Sequence, residues 1–429
     1  MPKNSFLIAL FLFLVNLASA QSTVPVIRAK SDQIHIRDGA FLLEGRLNPK
    51  LKPDRYDALR SRAEKKVVFY TDVDSIAVTV KPGSSFDFVV LHDRDSCFQR
   101  ISGNARSYTK ACAGCVIDQD TIPFTFGKGN KIHLQGSING SQLLDLMFDT
   151  GASTTVLYPS AKEKGVKLAF DGTTENAGVG GSSTRQTSSR NKIQIGQLIW
   201  ERESVLFVEQ QADKADGIIG FNLFSDKILE IDYDHKRIIV HDRPFTVEPG
   251  YSKLKLSYSG YLARFPATVM KGSTPQTALF VFDSGSDGSI GLDPAFAKRN
   301  GLPGDMEELG TSTSHGVGSG SFQNKIVLLP ELKIGNSLLT HVPMTVPMPE
   351  GNEFTSDNVF GMDVMRRFNT IIDYQQNWLY LKPNSLIGEP YRKPVNKTWI
   401  IAGVIVIVLL LLGTIIYFRK NSKKQPRLS

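Results

Sequence analysis

Short apolar runs separated by polar and glycine-rich turns recur along most of this 429-residue chain. Residues 67–70, 75–80 and 86–91 are such runs, and Lys81-Pro82-Gly83 is a turn sequence between two of them. Runs of this length bounded by turn residues favour strands, and little of the chain shows the 3.6-residue period of an amphipathic helix. The pattern therefore predicts an all-β fold.

The two ends of the chain depart from that pattern. Residues 1–20 combine Lys3, a short apolar run and small residues before Gln21, which is typical of a secretory signal peptide. Residues 399–418 carry no charge and are rich in Ile, Val and Leu, which is long enough for one transmembrane helix. The basic residues 419–429 are then predicted to form a cytoplasmic tail. The body of the chain is expected on the other side of the cell membrane or of another secretory-pathway membrane.

The region between these ends is too long for one compact core, so two or three units are expected. The first is a β-rich N-terminal domain in which no chemistry is recognisable, and its role stays open between an inhibitory prosegment, a recruitment domain and a spacer. The predicted boundaries are signal peptide 1–20, N-terminal domain 21–118, first lobe 119–246, second lobe 247–383, stalk 384–398, transmembrane helix 399–418 and tail 419–429.

The two predicted lobes are copies of one repeat, because matched elements follow one another in the same order. Offsets of 134 to 141 residues relate Phe148-Asp149-Thr150-Gly151 to Phe282-Asp283-Ser284-Gly285, Ile195-Gly196 to Ile334-Gly335, Ile218-Ile219-Gly220 to Val359-Phe360-Gly361, and Ile231-Asp232-Tyr233 to Ile372-Asp373-Tyr374. A drift of seven residues over the whole repeat is too small for coincidence. The chain is therefore predicted to carry the same half-site twice.

Charge and cysteine content narrow the function classes. The formal net charge is +8, but Lys3 and the cations of residues 419–429 account for six of these charges, so the rest carries about +2. Nucleic acid is therefore not an expected partner. The three cysteines, Cys97, Cys112 and Cys115, leave a structural disulfide or free thiols open, and no metal or other cofactor is predicted.

Two carboxylates at matched positions of a repeat suggest a reaction. If the copies pack about a twofold axis, Asp149 and Asp283 meet across it and share one proton, because two adjacent carboxylates do not both ionise cheaply. One then acts as general base on a water, and the other polarises a substrate carbonyl. This is the chemistry of peptide hydrolysis without a covalent intermediate.

The neighbours of the two aspartates suit such a site. Thr150 and Ser284 are predicted to hydrogen-bond across the junction, and Gly151 and Gly285 to allow tight turns. Glycine-rich segments follow in each copy and are predicted to form mobile hairpins that close over a substrate. Their candidate substrate-binding residues are Gly178, Val179, Gly180 and Gly181 in the first copy and Gly316, Val317 and Gly318 in the second.

The paired Asp-Thr/Ser-Gly strings, the glycine-rich segments and the apolar-apolar-Gly elements together resemble the aspartic proteases, over about residues 128–383. In length the chain is more similar to two fused retropepsin-like units than to pepsin. The resemblance implies a bilobal, double-psi-type acid protease fold, with Asp149 and Asp283 as the catalytic dyad and a protein or peptide as substrate. It also implies that Gly220 and Gly361 close the loop behind each aspartate, and that a single chain suffices for catalysis.

The chain also departs from the family pattern. The first flap-like segment has no tyrosine of the kind that pepsin-like enzymes carry there. Asn358 is predicted to stand in the second copy where Asp216 stands in the first, and Ala152 lacks the hydroxyl of Ser286. The two half-sites are therefore expected to be chemically unequal.

Two other function classes remain open at this stage. One is a non-catalytic peptide-binding or inhibitor module on the same bilobal fold, because a fold does not imply activity. The other is a surface adhesion or assembly protein whose functional part is residues 24–118. Neither the cleavage specificity, the pH optimum nor the oligomeric state follows from the sequence.

Overall fold

The computed structural model describes residues 24–39, 41–58, 64–103, 108–111, 119–178, 181–209, 214–259, 261–315, 321–348 and 357–391. The predicted signal peptide, transmembrane helix and cytoplasmic tail lie outside these residues. No helix in the described part of the chain is long and apolar enough to span a membrane. Strands dominate the described residues, so the predicted all-β fold is confirmed.

The strands of the N-terminal region are β1 (Val26–Ala29), β2 (Gln33–Asp38), β3 (Phe41–Arg46), β4 (Asp54–Asp57), β5 (Lys65–Tyr70), β6 (Ser75–Val80), β7 (Ser85–His92) and β8 (Asp95–Ser102). They form two four-stranded sheets, ordered β1-β7-β8-β4 and β3-β2-β5-β6. Alternate side chains of these strands point inward and form a core of their own, as strand geometry requires. Phe69 of one sheet meets Phe88 of the other edge to face, with 5.0 Å between ring centroids.

Asp38 and Cys97 both lie inside this N-terminal core. Asp38 is buried and is bound by Lys65 and by the hydroxyl of Tyr56. Cys97 is a buried free thiol, and burial raises its pKa to about 11, so it is protonated and unreactive at neutral pH. The other two cysteines, Cys112 and Cys115, lie outside the described residues.

A short strand, β9 (Thr109–Lys110), leads into the first copy of the repeat. The strands of that copy are β10 (Gln119–Phe126), β11 (Ile132–Ile138), β12 (Leu144–Asp149), β13 (Thr155–Leu157), β14 (Gly172–Gly178), β15 (Gly181–Ile195), β16 (Leu198–Phe207), β17 (Gly217–Gly220), β18 (Ile228–Asp232) and β19 (Arg237–His241). One α-helix, α1 (Pro159–Glu163), and two 3₁₀ turns, Lys128–Asn130 and Phe221–Phe224, complete it.

The second copy is built from the same kinds of element. Its strands are β20 (Ser252–Lys255), β21 (Ser257–Ser259), β22 (Leu262–Lys271), β23 (Thr274–Phe282), β24 (Ile290–Gly291), β25 (Glu308–His315), β26 (Ser321–Ile334), β27 (Ser337–Pro347), β28 (Asn358–Phe360), β29 (Phe368–Asp373) and β30 (Trp378–Pro383). Its helices are α2 (Pro294–Arg299), which Asp293 caps by accepting a bond from the Phe296 N–H, and α3 (Met362–Met365).

The strand pairing of the first copy recurs in the second. In the first, β17 runs parallel to β12 and antiparallel to β13, and β13 runs parallel to β16. In the second, β28 runs parallel to β23 and antiparallel to β24, and β24 runs parallel to β27. The repeat recognised in the sequence is therefore also a repeat of strand topology.

This pairing corrects the predicted equivalence of Asn358 and Asp216. Gly217 pairs with Leu146, and Asn358 pairs with Phe280, the residue equivalent to Leu146. Asn358 therefore corresponds to Gly217, one residue later than predicted. The acid equivalent to Asp216 is Asp357, so the second copy keeps its acidic residue.

The two copies join through a shared sheet that runs β10-β19-β18-β29-β30-β20. At its centre β18 pairs antiparallel with β29, and Glu230 lies opposite Ile371. These two residues are equivalent in the repeat, being 141 positions apart. The pairing is therefore symmetric about the Glu230–Ile371 position, as a twofold relation between the copies requires.

The residues predicted to begin the stalk are bound to the second copy. The buried guanidinium of Arg367 donates to the carbonyl oxygens of Leu386, Ile387 and Glu389 at 3.0, 3.2 and 2.6 Å. It also lies 3.9 Å from the centre of the Tyr391 ring. Residues 384–391 are thus part of the folded body.

Candidate active site

Asp149 and Asp283 lie on equivalent loops at the ends of buried strands. Asp149 is the last residue of β12 and pairs with Gly220 of β17, while Asp283 follows β23 and its N–H donates to the Phe360 carbonyl of β28 at 3.1 Å. Apolar strands such as β12 are buried on both sides, which fixes the direction in which each loop leaves the sheet. The sequence places both carboxylates at the same structural position of their copies.

Four reciprocal hydrogen bonds hold the two loops together. The Thr150 hydroxyl donates to the Phe282 carbonyl at 2.6 Å and accepts from the Ser284 N–H at 3.0 Å. The Ser284 hydroxyl donates to the Phe148 carbonyl at 2.9 Å and accepts from the Thr150 N–H at 2.9 Å. All of these groups are buried, so each bond satisfies a polar group that water does not reach. Thr150 and Ser284 thus make the cross-junction contacts predicted for them.

The glycines of the two strings are required by close approach rather than by backbone conformation. A Cβ at Gly285 would stand 2.4 Å from a carboxylate oxygen of Asp149, and one at Gly151 would stand 2.7 Å from an oxygen of Asp283. Each aspartate therefore lies over the glycine of the other loop. The N–H groups of Gly151 and Gly285 donate to Asp149 and Asp283 at 2.7 and 2.9 Å.

The two carboxyl groups hydrogen-bond to each other and titrate abnormally. Each side chain keeps some contact with solvent, but the protein packed around it raises the pKa of Asp149. Burial, and next repulsion from Asp149, raise the pKa of Asp283 well above its ordinary value. Two adjacent carboxyl groups with raised pKa values do not both ionise cheaply, so the pair favours one shared proton.

One cation acts on both carboxyl groups. The charge of Lys131 lowers the pKa of Asp149 and the pKa of Asp283, against the larger effect of burial. Lys131 follows the 3₁₀ turn Lys128–Asn130, which reaches across to the second copy. There a Cβ at Gly129 would stand 2.4 Å from Cβ of Asp287, and the Asn130 amide donates to Asp363 at 3.0 Å. No sequence pattern marks Lys131, because its position relative to the two aspartates depends on how the copies pack against each other.

Two long antiparallel strand pairs, the hairpins β14–β15 and β25–β26, lead to the glycine-rich segments. In the first copy β14 pairs with β15, and Gly178 lies opposite Gly181 at the last described position. In the second, β25 pairs with β26 up to His315 and Ser321. Val179, Gly180, Gly316, Val317 and Gly318 lie outside the described residues, so their part in substrate binding stays a prediction.

A His–Asp pair beside the first loop has no signal in the sequence. His133 of β11, which is buried, and Asp145 of β12, which is partly exposed, are hydrogen-bonded at 2.9 Å, and the Asp145 N–H donates to Asp216 at 2.7 Å. Asp216 in turn accepts from Lys164 at 2.6 Å. This network joins β11 and β12 to the residue that precedes β17 and so supports β12.

The loop-closing glycines also lie at close contacts. A Cβ at Gly220 would stand 2.6 Å from the Ala152 carbonyl oxygen, and one at Gly361 would stand 2.3 Å from the Gly288 carbonyl oxygen. The Phe221 N–H donates to the Ala152 carbonyl at 3.0 Å behind the first aspartate. Both glycines therefore lie where the loops cross, and any side chain there would force the loops apart.

Two comparisons with known proteins found a match. A family model described as aspartyl protease matches residues 134–223. Among solved structures, the chain is similar to the aspartic proteinase from Irpex lacteus, with 14% sequence identity and a TM-score of 0.47, over 64% of this chain and 100% of that one. No curated protein matches the chain. The residues that the family model matches contain Asp149 and its loop.

Proposed function

We propose that this chain is a membrane-anchored aspartic endopeptidase in which Asp149 and Asp283 form one catalytic dyad. The observation that carries the proposal is the hydrogen-bonded contact of two carboxyl groups with raised pKa values, held by reciprocal bonds between matched loops. A structural ion network stabilises a fold without two acids in direct contact, whereas two acids that share a proton must touch. The contact between Asp149 and Asp283 therefore favours a catalytic pair over a structural network.

We assign each acid a role in the first step from the directions of the pKa shifts. Asp283, whose pKa is raised further, holds the proton and donates a hydrogen bond to the carbonyl oxygen of the scissile peptide bond. Ionised Asp149 takes a proton from a water whose oxygen attacks the carbonyl carbon, while the proton of Asp283 passes to the carbonyl oxygen, which gives a tetrahedral diol. Asp149 then gives its proton to the leaving nitrogen as the C–N bond breaks, and Asp283 takes a proton back from the diol, which restores the dyad. No covalent enzyme intermediate forms.

The two hairpins are proposed to close over the bound peptide from both copies of the repeat. In this arrangement the copies act as the two lobes of one binding site, and a single chain supplies both halves. Hairpin closure excludes water other than the attacking one and strengthens the hydrogen bonds to the reacting groups. The substrate is a protein or peptide in extended conformation, and neither nucleic acid nor a cofactor takes part.

The test uses the full chain, a fluorogenic peptide library and two substitutions. Asp149→Asn should lower the rate of hydrolysis about 10²- to 10⁴-fold while the chain still binds a statine-type peptide, which mimics the tetrahedral diol. Asp305→Asn, at an exposed acid of the second copy, is the matched control and should retain full activity. Unchanged hydrolysis in Asp149→Asn would disprove the dyad. Tight peptide binding by the wild type with no turnover at any pH would instead favour a non-catalytic peptide-binding module.

Membrane anchoring is proposed from the apolar residues 399–418 and has its own test. The full chain should remain in the membrane fraction after washing with alkaline carbonate, and a chain ending at Tyr391 should be released in soluble form. An anchor close to the catalytic body would raise the effective concentration of membrane-bound substrates. Equal processing of such substrates by both forms would remove that advantage, and release of the full chain would disprove anchoring.

A further inference from the structure

We propose that the N-terminal domain positions the first flap-like hairpin, β14–β15, and that Asn48 is the positioning residue through which it does so. The inference rests on the proposed function, because it assigns the hairpin a part in peptide binding. It differs from a prosegment that fills the binding site, since the contact lies at the base of the hairpin and not at its end.

The contact joins the N-terminal domain to the residue that precedes the hairpin. The Asn48 side-chain amide donates to the Asp171 carbonyl at 2.9 Å, and Gly172 begins β14. The other end of the same amide accepts from the Lys50 N–H at 3.1 Å, which orients its NH₂ group toward Asp171. Strand β3 lies against β14, so the outer edge of the hairpin meets the edge of the N-terminal sheet.

Asp171 connects Asn48 to both strands of the hairpin. Its carbonyl is held by Asn48, while its carboxylate accepts from the Ser189 hydroxyl at 3.1 Å and the Ser189 N–H at 3.3 Å. Ser189 belongs to β15, the returning strand. Gly172 pairs with Thr187 at the same level of the hairpin. A displacement of Asn48 therefore acts on β14 and β15 together.

The junction is closely packed. A Cβ at Gly172 would stand 3.0 Å from the Asn48 amide nitrogen and 3.0 Å from the Thr187 hydroxyl. Asp54 of the N-terminal domain lies near enough to Asp171 for the two charges to interact. Burial, more than this repulsion, raises the pKa of Asp54 to about 6. These contacts leave the base of β14 little freedom to move away from the domain.

A second attachment fixes the domain to the first copy. Strand β9, which follows the N-terminal domain, pairs with β16 at Leu198 and Ile199. Next to it Tyr108 packs edge to face on Trp200, with 5.6 Å between ring centroids. The domain is therefore held at β16 as well as at Asp171, so its position relative to the hairpin is fixed by two separated contacts.

The second hairpin serves as a comparison for the first. Side-chain hydrogen bonds join β25 to β26, and β26 also pairs with β27. The Gln323 amide donates to the Thr313 hydroxyl at 3.0 Å, the Asn324 amide to Ser314 at 2.9 Å, and Lys325 to Glu308 at 3.1 Å. The second hairpin is thus an internal reference in the same molecule for any test of the first.

The first experiment separates peptide binding from chemistry. Asn48→Ala removes the bond to Asp171 and should raise KM about threefold to tenfold, the effect of one lost hydrogen bond, with kcat nearly unchanged because the dyad is untouched. Thr71→Ala is the matched control, since Thr71 donates to Arg28 within the N-terminal domain at 2.6 Å. An equal rise of KM in both variants would show a general effect of destabilising the domain and would overturn the proposal.

The second experiment needs no activity and so separates this inference from the proposed function. In the Asp149→Asn full chain, Asn48→Ala should speed amide hydrogen exchange in residues 172–178, while residues 308–315 exchange as before. Unchanged exchange at 172–178 would overturn the positioning role even if the chain proves to be a protease. Faster exchange at 172–178, together with no hydrolysis by the chain that retains Asp149, would support positioning and reject the catalytic proposal.

A cross-linked variant tests the same contact even if Asn48→Ala impairs folding, because the cross-link restores the connection between residues 48 and 172. Cγ of Asn48 lies 3.9 Å from the position of a Cβ at residue 172, within reach of a disulfide. Asn48→Cys combined with Gly172→Cys should, when oxidised, slow exchange at 172–178 and return KM to the wild-type value or below. Reduction, or the Asn48→Cys substitution alone, should reproduce the Asn48→Ala result, because each leaves the Asp171 carbonyl without the Asn48 amide. A cross-linked chain with the KM of its reduced form would contradict the proposal.

Discussion

The two copies of the half-site differ more in their surroundings than at their centre. At the centre Thr150 and Ser284 exchange the same four hydrogen bonds, so the loops are related by symmetry. Around it, the pKa of Asp283 is raised further than that of Asp149, and the first hairpin alone has a described contact from the N-terminal domain. A symmetric frame thus fixes where the two acids meet, while their surroundings make the two half-sites chemically unequal.

The strongest test of this comparison is to remove each acid in turn. Asp149→Asn and Asp283→Asn should each lower the rate of peptide hydrolysis about 10²- to 10⁴-fold, because one acid alone cannot supply both base and proton donor. Single-turnover kinetics on the full chain would measure the loss. Substantial activity in one of the two variants would show that the acids do not act as a pair.

The same substitutions should differ in their effect on stability. Raised pKa values favour folding most below the ordinary carboxyl pKa, and that contribution is lost as pH rises through the raised values. Asp283→Asn removes the group with the larger shift, so its melting temperature should depend less on pH than that of Asp149→Asn. Thermal unfolding between about pH 4 and pH 8 checks the order. The reverse order would place the proton on Asp149.

The symmetric part of the comparison is tested at the two buried hydroxyls. Thr150→Val and Ser284→Ala each leave one buried carbonyl and one buried N–H without a partner, at a cost of about 2–4 kcal/mol in unfolding free energy. Urea unfolding should give similar losses for the two and a double variant that costs less than their sum. Thr150→Ser keeps the hydroxyl and serves as the control. A loss in one variant only would break the symmetry.

The glycines at the junction should respond unequally. Gly285→Ala brings a methyl group to 2.4 Å from Asp149, closer than the 2.7 Å from Asp283 in Gly151→Ala. Overpacking of this kind costs about 1–3 kcal/mol, and the Gly285 variant should lie at the upper end. Binding of a statine-type peptide, measured by calorimetry, should weaken in the same order. Equal tolerance would mean that the loops separate easily.

The smallest expected difference concerns the ion pairs of the equivalent acids Asp216 and Asp357. Lys164→Met leaves the buried Asp216 without its cation and should cost about 1–3 kcal/mol, while Arg264→Met, at a partly exposed pair, should cost less than about 1 kcal/mol. Chemical denaturation at low and at high salt measures both. A larger salt dependence is expected for Arg264, because its acid Asp357 is 29% exposed whereas Asp216 is 4% exposed.

Much of the site was open to prediction from the sequence because its signals are local. Each Asp-Thr/Ser-Gly string follows its own apolar strand, and the repeat offset links the two strings without any knowledge of the fold. The equivalence of Asp216 was predicted one residue out because the offset changes along the repeat, and only the pairing of Asn358 with Phe280 fixes the register.

Other features had no local signal. Asn48 and Asp171 are 123 residues apart, and nothing near Asn48 distinguishes it from an ordinary turn residue. His133 and Asp145 meet only because β11 and β12 pair in a particular register. The effect of Lys131 on both acids depends on packing between the copies. Such contacts follow from tertiary structure, which propensity and periodicity do not describe.

The symmetric pairing of β18 with β29 lies within one polypeptide, so two different residues can face each other at its axis. Two identical subunits would not allow this. At a twofold axis of a homodimer a residue faces itself, so a glutamate there would place two like charges across the strands. Here Glu230 faces Ile371 instead, and its carboxylate is bonded to His241 at 2.9 Å. Because both strands belong to one chain, the residues at the axis need not be identical. Either strand of the β18–β29 pair can therefore change without the same change in the other.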